Sequence, residues 1–263
     1  LDFLADLQRL VCVGEAPPVA FFAYPGSPST PEPAGCAVDR LCYRDWDIAW
    51  TLEALAGSAG VDGTEAVPRI AYDPPEVAHG PLDPDALGRI LARHLPEGAI
   101  VVNEAVTADS AIFVHTDLAR RHDRLNNTGG SIGQCLPNAI GAAVACPDRP
   151  VFAISGDGSA MYQLQTLWTA AREGLDVTVI ILANGGYQIL HMELAALGMP
   201  DAGRNARRMF DIAEPALDWV ALARGHGVPG KRTETAEAFN AALGEAAATK
   251  GPYLIEAIVA PAR

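Results

Sequence analysis

The strongest constraint on the fold is a regular alternation of short apolar runs and helical patterns after residue 83. The apolar runs lie at 99–102, 151–154, 177–182 and 254–259. They are continuously apolar, as strands buried on both faces of a parallel sheet usually are. Strands that alternate with helices predict an α/β fold, a doubly wound parallel sheet with helices on both of its faces.

The part of the chain before this alternation has a different composition. Short β-rich runs lie at 10–13 and 19–23, and a helical pattern covers about 47–59. Residues 61–85 contain several prolines and few periodic apolar positions, which is typical of a linker. We therefore expect part of one α/β domain in 1–60, a linker in 61–85, and a larger domain in 86–263.

Charge and cysteine content exclude several classes of partner. The formal net charge of −13 argues against binding to nucleic acid or to an anionic membrane surface. No apolar run reaches the roughly 18 residues of a membrane span, and no signal peptide is visible. The five cysteines form no CxxC pair, which predicts free thiols in a reducing, cytoplasmic compartment.

Two polar turns follow neighbouring predicted strands. Gly156-Asp157-Gly158-Ser159 comes after the strand at 151–154, and Ala183-Asn184-Gly185-Gly186-Tyr187 comes after the strand at 177–182. Both turns project from the carboxyl edge of the sheet, where ligands of such folds bind. The carboxylate of Asp157 and the amide oxygen of Asn184 are ligands that suit Mg²⁺, which in turn commonly bridges to phosphates.

The glycines and the following helix predict that the ligand is an anion. Gly156 and Gly158 let the backbone approach a bulky group closely. The helix expected from Ser159 to Glu173 directs its N-terminus, and its partial positive charge, toward that group. Gly-Asp-Gly alone would indicate only a turn, so the prediction depends on the combination with Asn184.

These turns and their spacing resemble the metal-binding motif of thiamine-diphosphate-dependent enzymes. The resemblance implies that the Asp157 carboxylate, the Asn184 amide and the backbone carbonyl of Gly186 hold Mg²⁺ on the cofactor's diphosphate. The family usually has two Asn in succession, and here Ala183 replaces the first one, although the ligand position is kept. The fold implied for 86–263 is the thiamine-diphosphate-binding fold, and residues 1–60 resemble the end of the family's central domain.

The resemblance extends to the turns that would contact the cofactor. Residues 103–107 resemble the strand-end loop that touches the diphosphate, through Val106 and Thr107. Residues 129–137 resemble the Gly-rich loop, in which backbone near Gly130 meets the aminopyrimidine and Ile132 supports the bent cofactor. Without the family, Ile132 could equally be a core residue. The remaining cofactor contacts that the resemblance implies are Gly156, Gly158, Ser159, Ala160, Gly186 and Tyr187.

The resemblance also implies that this chain holds no catalytic residue of its own. In the family, a Glu on an amino-terminal domain, usually of the neighbouring subunit, bonds the pyrimidine ring of the cofactor. No such domain is present here, and Leu1 falls inside what resembles a domain. We expect the chain to be a piece of a longer protein, or else a subunit completed by another chain. We further expect the whole protein to be a homodimer or tetramer.

Three functions are compatible with these residues. The first is acetolactate-synthase-like: decarboxylation of a pyruvate-like 2-oxo acid with carboligation. The second is simple 2-oxo-acid decarboxylation of the benzoylformate type, and the third is a non-catalytic cofactor-binding subunit. Residues 187–210 do not resemble the lid of the FAD-containing acetolactate synthases, so FAD is not expected. The sequence leaves the substrate and the acceptor open.

Two further groups of residues have open interpretations. His191 and Glu193 follow the Asn184 turn and could line a substrate channel, or could belong to a solvated helix face. Arg204, Arg207 and Arg208 could cover an anionic substrate, although a solvated stretch is the usual role of such a cluster.

Overall fold

The computed structural model describes residues 2–20, 24–61, 71–199 and 203–259. They form two compact units, residues 1–69 and residues 70–263. In the first unit, two parallel strands, β1 (Arg9–Val13) and β2 (Ala37–Cys42), are followed by helix α1 (Ile48–Ser58). Helix α1 begins where the Asp47 side chain accepts a hydrogen bond of 2.9 Å from the amide of Trp50.

The second unit begins with elements that the sequence predicts closely. Helix α2 starts after Asp83, whose carboxylate accepts from the amide of Ala86 at 2.8 Å, with Pro84 in the first turn. The first elements of the unit are α2 (Pro84–His94), β3 (Ile100–Glu104), a short 3-10 helix (Val106–Ala108), α3 (Asp109–Thr116), β4 (Asp123–Asn126), α4 (Cys135–Ala145) and β5 (Val151–Gly156).

The later elements complete the sheet. They are α5 (Asp157–Ala160), α6 (Thr166–Glu173), β6 (Val177–Ala183), α7 (Gln188–Ala196), α8 (Arg204–Phe210), α9 (Trp219–Gly225), β7 (Gly230–Thr233), α10 (Ala236–Ala248) and β8 (Tyr253–Ile258). The six strands pair in parallel in the order β4-β3-β5-β6-β8-β7. This confirms the predicted parallel sheet.

Two apolar cores lie on opposite faces of this sheet, because successive side chains of a strand point to opposite faces. On one face, Ile154, Ile180 and Ile255 pack with α2, α3 and α10. On the other face, Ala153 and Ile181 pack with α4, α6 and α9. Helices therefore cover both faces, as the alternation of patterns predicts.

Three expectations differ from the structure. The helix expected from 159 to 173 is interrupted between α5 and α6, because i to i+3 bonds such as Tyr162 N to Ser159 O tighten the chain there. The expected linker 61–85 is partly packed, since Ala78 and Leu82 are buried in the core. Residues 19–20 are not in a strand, and the rest of that expected strand lies outside the described residues.

The order of the strands in the sheet determines where the candidate site lies. Strands β3, β5 and β6 are adjacent, so the turns that follow Glu104, Gly156 and Ala183 meet at one edge of the sheet. Among the residues described, no helix is both long enough and apolar enough to cross a bilayer.

Candidate cofactor and metal site

The carboxylate of Asp157 connects the two polar turns at the carboxyl edge. Its Oδ1 accepts from the amide of Gly158 at 2.8 Å. Its Oδ2 accepts from the amides of Asn184 at 3.1 Å and Gly185 at 2.7 Å. The side chain of Asn184 stays in the same turn, where its Oδ1 accepts from the amide of Gly186 at 3.0 Å. The structure thus brings together the three residues predicted to hold Mg²⁺.

The electrostatic environment of Asp157 favours a cation. The residue is only 4% exposed, and no Lys, Arg or His in the described part of the chain forms an ion pair with it. Burial raises the pKa of its carboxyl group, and the backbone amides of Gly185, Gly158 and Asn184 partly offset this rise. A buried carboxylate whose charge is met only by amides gains stability from a bound cation.

The lone pairs of these oxygens also leave room for a metal ion. A carboxylate offers about four acceptor positions, and Asp157 uses three of them. An amide oxygen offers about two, and Asn184 uses one for Gly186. One carboxylate and neutral oxygens form a donor set that suits Mg²⁺ completed by phosphate oxygens. In the described residues, no three His, Cys, Asp or Glu side chains form a metal cluster, so a site here depends on Asp157 with neutral oxygens.

The glycine after Asp157 is required by close packing. A Cβ on Gly158 would lie 2.4 Å from Cε1 of Tyr187, so only glycine fits against this ring. The hydroxyl of Tyr187 donates to the carbonyl of Gly158 at 3.3 Å. Gly156 is different, since a Cβ there would come no closer than 3.9 Å to Oγ of Ser159. Ser159 and Ala160 are both buried in α5 directly below the turn.

The Asn184 turn is also held by the segment after α8. The amide of Tyr187 donates to the carbonyl of Phe210 at 2.8 Å, and the amide of Ile212 donates to the carbonyl of Gly185 at 2.8 Å. Gly186 and Asp211 form an antiparallel bridge between these bonds. Sequence reasoning missed this contact, because nothing local in residues 210–212 indicates a partner 25 positions away.

The turn after β3 contains a strained residue. Val106 has a φ of +50°, and among the non-glycine residues that the structure describes it alone has a positive φ. It is 39% exposed at the edge of the sheet, and Thr107 beside it is half-buried. The side chain of Asn103 stabilises this turn, because it accepts from the amide of Ala105 at 3.0 Å and donates to Asp109. Strain of this kind at a branched residue is typical of functional sites.

The Gly-rich loop packs against the turn that follows α5. Gly129 and Gly130 have φ of 69° and 67°, which L side chains rarely adopt, and Ile132 after them is half-buried. Gly133 also has positive φ, 87°, and a Cβ there would lie 2.6 Å from Cβ of Tyr162 in the turn after α5. The predicted residues Gly130 and Ile132 therefore lie in a loop that packs against the turn after α5.

Glu104 is the main site residue that sequence reasoning missed. It is 2% exposed at the end of β3, and its carboxylate accepts from the backbone amides of Gly133, Gln134 and Cys135. A Glu at the end of an apolar strand is the local signal that marks Glu104 as unusual, but nothing in the sequence indicates that its partners lie 29 to 31 positions away. Cys135 is itself a buried free thiol, and burial, followed by the charge of Glu104, raises its pKa.

The two open groups of residues lie beside the Asn184 turn. His191 in α7 is 3.4 Å from the carboxylate of Asp211 and packs edge-on against the ring of Phe210 at 5.2 Å. Helix α7 also contacts the 3-10 helix at Val106–Ala108. Arg204 and Arg208 are exposed on α8. All five cysteines are free thiols, as predicted.

The chain belongs to the thiamine pyrophosphate enzyme family, thiamine pyrophosphate being another name for thiamine diphosphate. Residues 108–257 match the family's C-terminal TPP-binding domain. The resemblance inferred from the two polar turns is thereby confirmed, and so is the fold class. The matched range includes α4, the Asp157 turn and the Asn184 turn, and it defines a domain of the kind that binds thiamine diphosphate.

Relatives of this chain include both predicted types of enzyme. It is 44% identical, over 97% of its length, to a Mycobacterium tuberculosis protein named "Putative acetolactate synthase large subunit IlvX", and covers 49% of that protein. It is 36% identical, over 80% of its length, to a benzoylformate decarboxylase of Pseudomonas aeruginosa, and covers 39% of it. The chain therefore spans half or less of these relatives.

Solved structures agree with this assignment. A thiamine diphosphate-dependent 4-hydroxybenzoylformate decarboxylase from Rhodococcus jostii RHA1 superposes with a TM-score of 0.80 at 29% identity. The similarity covers 98% of this chain and 50% of that one. Its length is thus also about twice that of the present chain.

Proposed function

We propose that this chain forms the diphosphate- and Mg²⁺-binding half of an enzyme that decarboxylates a 2-oxo acid. The observation that carries the proposal is the Asp157 carboxylate, which is buried without a cationic partner in the described chain and is bonded to the backbone amide of Asn184. The side-chain oxygen of Asn184 lies in the same turn, bonded to the amide of Gly186. Asp157, Asn184 and the Gly186 carbonyl would hold the metal. Gly156, Gly158, Ser159, Ala160 and Tyr187, with Val106 and Thr107, would surround the diphosphate.

The chain's own residues would bind and orient, while the reaction chemistry would come from the cofactor. Bound thiamine diphosphate would supply the nucleophilic carbon and the electron sink needed to break the bond to the carboxylate. Ile132 would press on the cofactor from the Gly-rich loop, and the backbone near Gly130 would meet its aminopyrimidine. Such fixed positioning raises the rate because the reacting groups are held close before reaction.

We favour decarboxylation of a pyruvate-like acid followed by carboligation, without FAD. The relative named as an acetolactate synthase subunit supports this choice, since it is 44% identical over 97% of the chain. Simple decarboxylation of the benzoylformate type is the second candidate, and it is favoured by two relatives that are named as decarboxylases of that type. Product analysis of the intact protein discriminates between them: pyruvate should yield a carboligation product, whereas benzoylformate turnover to the aldehyde alone would support the second.

We also propose that the site is completed by a domain outside this chain, in a homodimer or tetramer. Large apolar side chains are exposed around the turn after α5: Met161 at 42%, Tyr162 at 57% and Trp168 at 51%. An apolar surface of this kind beside a site is typical of an interface. Sedimentation of the intact protein with cofactor and Mg²⁺ should give a dimer or larger, and a strictly monomeric protein would contradict the proposal.

If the site is completed in this way, the 263-residue chain alone should turn over no 2-oxo acid, because the residue that bonds the pyrimidine ring would belong to the other domain. The assay compares purified chain and intact protein at equal concentration with pyruvate and benzoylformate. Decarboxylation by the purified chain, with contamination excluded, would show that the site is complete without another domain.

A further inference from the structure

A row of side chains crosses the sheet near its carboxyl edge. Glu104 on β3 pairs in register with Ser155, Ser155 with Ile181, and Ile181 with Glu256 on β8. Register partners in a parallel sheet point to the same face. Glu104 and Glu256 are thus two buried carboxylates, 2% and 1% exposed, in equivalent positions on one face.

The two carboxylates have different partners. Glu256 pairs with the guanidinium of Arg232 on the edge strand β7 at 2.6 Å. Glu104 has no ion pair with a side chain in the described residues. It accepts instead from three consecutive backbone amides, Gly133 at 2.7 Å, Gln134 at 2.9 Å and Cys135 at 2.6 Å. These are the end of the Gly-rich loop and the start of α4, where amides lack helical acceptors.

The residues bonded to Glu104 also contact other parts of the loop and the turn after α5. Gly133 is pressed between the carboxylate and Cβ of Tyr162, so it has little freedom to move away. The side chain of Gln134 donates to Asn127 at 2.6 Å and to the carbonyl of Ser131 at 3.2 Å, which closes the loop on itself. Ile132 therefore sits in a closed loop. The carboxylate of Glu104 joins the end of this loop to β3, beside the Cys135 thiol, which donates to the carbonyls of Val102 and Ile154.

The same residue adjoins the strained turn. Glu104 is followed by Ala105 and Val106, and Val106 has φ +50°. The carboxylate therefore fixes two cofactor-facing segments relative to each other, the turn at Val106–Thr107 and the loop that carries Ile132. The turn follows β3 and the loop follows β4, which pairs with β3 as far as Asn103 and Asn126. The carboxylate of Glu104 adds a contact between the two segments beyond that pairing.

We propose that Glu104 is a positioning residue, whose carboxylate fixes the Gly-rich loop against the end of β3 and so sets where Ile132 meets the cofactor. This inference rests on the proposed function. It assigns no contact between Glu104 and the cofactor, since all three of its hydrogen bonds go to the loop and to α4.

The test is Glu104→Gln in the intact protein, with Glu256→Gln as the matched control. In Glu104→Gln, one carboxylate oxygen becomes an NH₂ group that must face a backbone N–H, so the loop shifts. Glu256→Gln changes a carboxylate of equal burial in the same row, but it leaves the loop in place. Both variants should lower Tm by a few degrees.

The expected result separates the two variants by two readouts. Hydrogen exchange in the cofactor-free protein should accelerate at the amides of Gly133, Gln134 and Cys135 in Glu104→Gln alone. Turnover at saturating cofactor and substrate should fall about 30–100-fold in Glu104→Gln, because a loop displacement approaching 1 Å at a positioned group costs that much. In Glu256→Gln, turnover per folded molecule should stay within about twofold of wild type.

Several outcomes would overturn the inference. Wild-type turnover in a folded Glu104→Gln would do so, as would equal losses of turnover in both variants. If Glu104→Gln does not fold, Glu104→Asp keeps the charge but is one methylene too short to reach all three amides. Its turnover should then be reduced, and wild-type turnover would contradict the proposal. If the wild type binds no thiamine diphosphate with Mg²⁺, the proposed function fails first, and this inference fails with it.

Discussion

Glu104 and Asp157 are two buried carboxylates at the ends of adjacent strands, and each accepts three backbone hydrogen bonds. They differ in the segments that carry the backbone amides bonded to them. The donors to Asp157 come from two short glycine turns, and the amide oxygen of Asn184 lies in the second of them. The donors to Glu104 lead into a loop and a helix of eleven residues.

The difference shows how one chemical group can serve two purposes at one sheet edge. Around Asp157, small turns leave oxygens for an ion, and burial raises the pKa of the carboxyl group, a rise that backbone amides partly offset. Around Glu104, the carboxylate compensates the free amides that begin α4. Asp157 is therefore suited to bind a ligand, and Glu104 to hold the structure that binds it.

The largest expected effect is that of Asp157→Ala, which tests the ligand-binding side of this comparison. It removes the only charged protein ligand proposed for Mg²⁺, so Mg²⁺-dependent binding of thiamine diphosphate should be lost. The loss should exceed the roughly 10–100-fold that removal of an outer-sphere partner of a metal typically costs. Calorimetry of the intact protein with and without Mg²⁺ measures it.

Asp83→Ala is a suitable control for this experiment. Asp83 also accepts from a backbone amide, that of Ala86, but as the N-cap of α2. Its removal should cost about 1 kcal/mol of stability and leave cofactor affinity unchanged. Unchanged affinity in Asp157→Ala itself would show that the metal is held elsewhere.

The next largest effect is expected for Ile132→Ala, which tests whether the loop held by Glu104 supports the cofactor. Turnover should fall about a hundredfold, since positioning errors near 1 Å cost that much, while the contacts at Asp157 and Asn184 keep cofactor affinity less affected. Ile132 is only half-buried. The packing lost in Ile132→Ala should therefore lower the free energy of unfolding by less than the roughly 2–5 kcal/mol expected for a fully buried Ile.

Ile140→Ala provides the matched comparison, because Ile140 is also half-buried and packs on the core from α4. It should lower Tm without lowering turnover per folded molecule. If wild type and Ile132→Ala, both saturated with cofactor and folded by circular dichroism, turn over equally, Ile132 is a packing residue only.

The sequence predicts those parts of the molecule whose signal is local. The continuously apolar run at 177–182 became β6, Val177–Ala183, and the cap at Asp83 begins α2. The edge strands β4 and β7 were missed, because Asp123–Asn126 and Gly230–Thr233 are polar segments without an apolar pattern. An edge strand is paired on one side only, so burial imposes little on its composition.

The same reasoning explains which site residues were found. Asp157 and Asn184 stand in short glycine turns after apolar strands, and this pattern can be recognised along the chain. The role of Glu104 depends on backbone amides 29 to 31 positions away. The antiparallel bridge at Gly186 likewise depends on Asp211, 25 positions away. Contacts of this kind are set by the topology of the sheet, and a single sequence does not indicate them.

A smaller effect is expected from the two glycines that flank Asp157. In Gly158→Ala the new Cβ would lie 2.4 Å from the ring of Tyr187, so the ring must move, and overpacking should cost about 1–3 kcal/mol. Gly156→Ala meets nothing closer than 3.9 Å, at φ −68° and ψ 153°, which alanine adopts freely. It should be neutral or stabilise by up to about 1 kcal/mol. Thermal denaturation of both variants measures the difference, and equal Tm values would contradict the close packing of Gly158.

The smallest expected effect is that of Tyr187→Phe, which separates the ring of Tyr187 from its hydroxyl. The ring packs on Gly158 and is retained, whereas the hydroxyl bond to the carbonyl of Gly158, at a long 3.3 Å, is lost. A hydrogen bond of this kind contributes about 0.5–1.5 kcal/mol, so stability should fall by no more than about 1 kcal/mol. Cofactor affinity should change less than in Gly158→Ala, because that substitution displaces the whole ring from the Asp157 turn. Denaturant unfolding and calorimetry of the two variants make this comparison. A larger loss of cofactor affinity in Tyr187→Phe than in Gly158→Ala would show that the hydroxyl itself contacts the diphosphate.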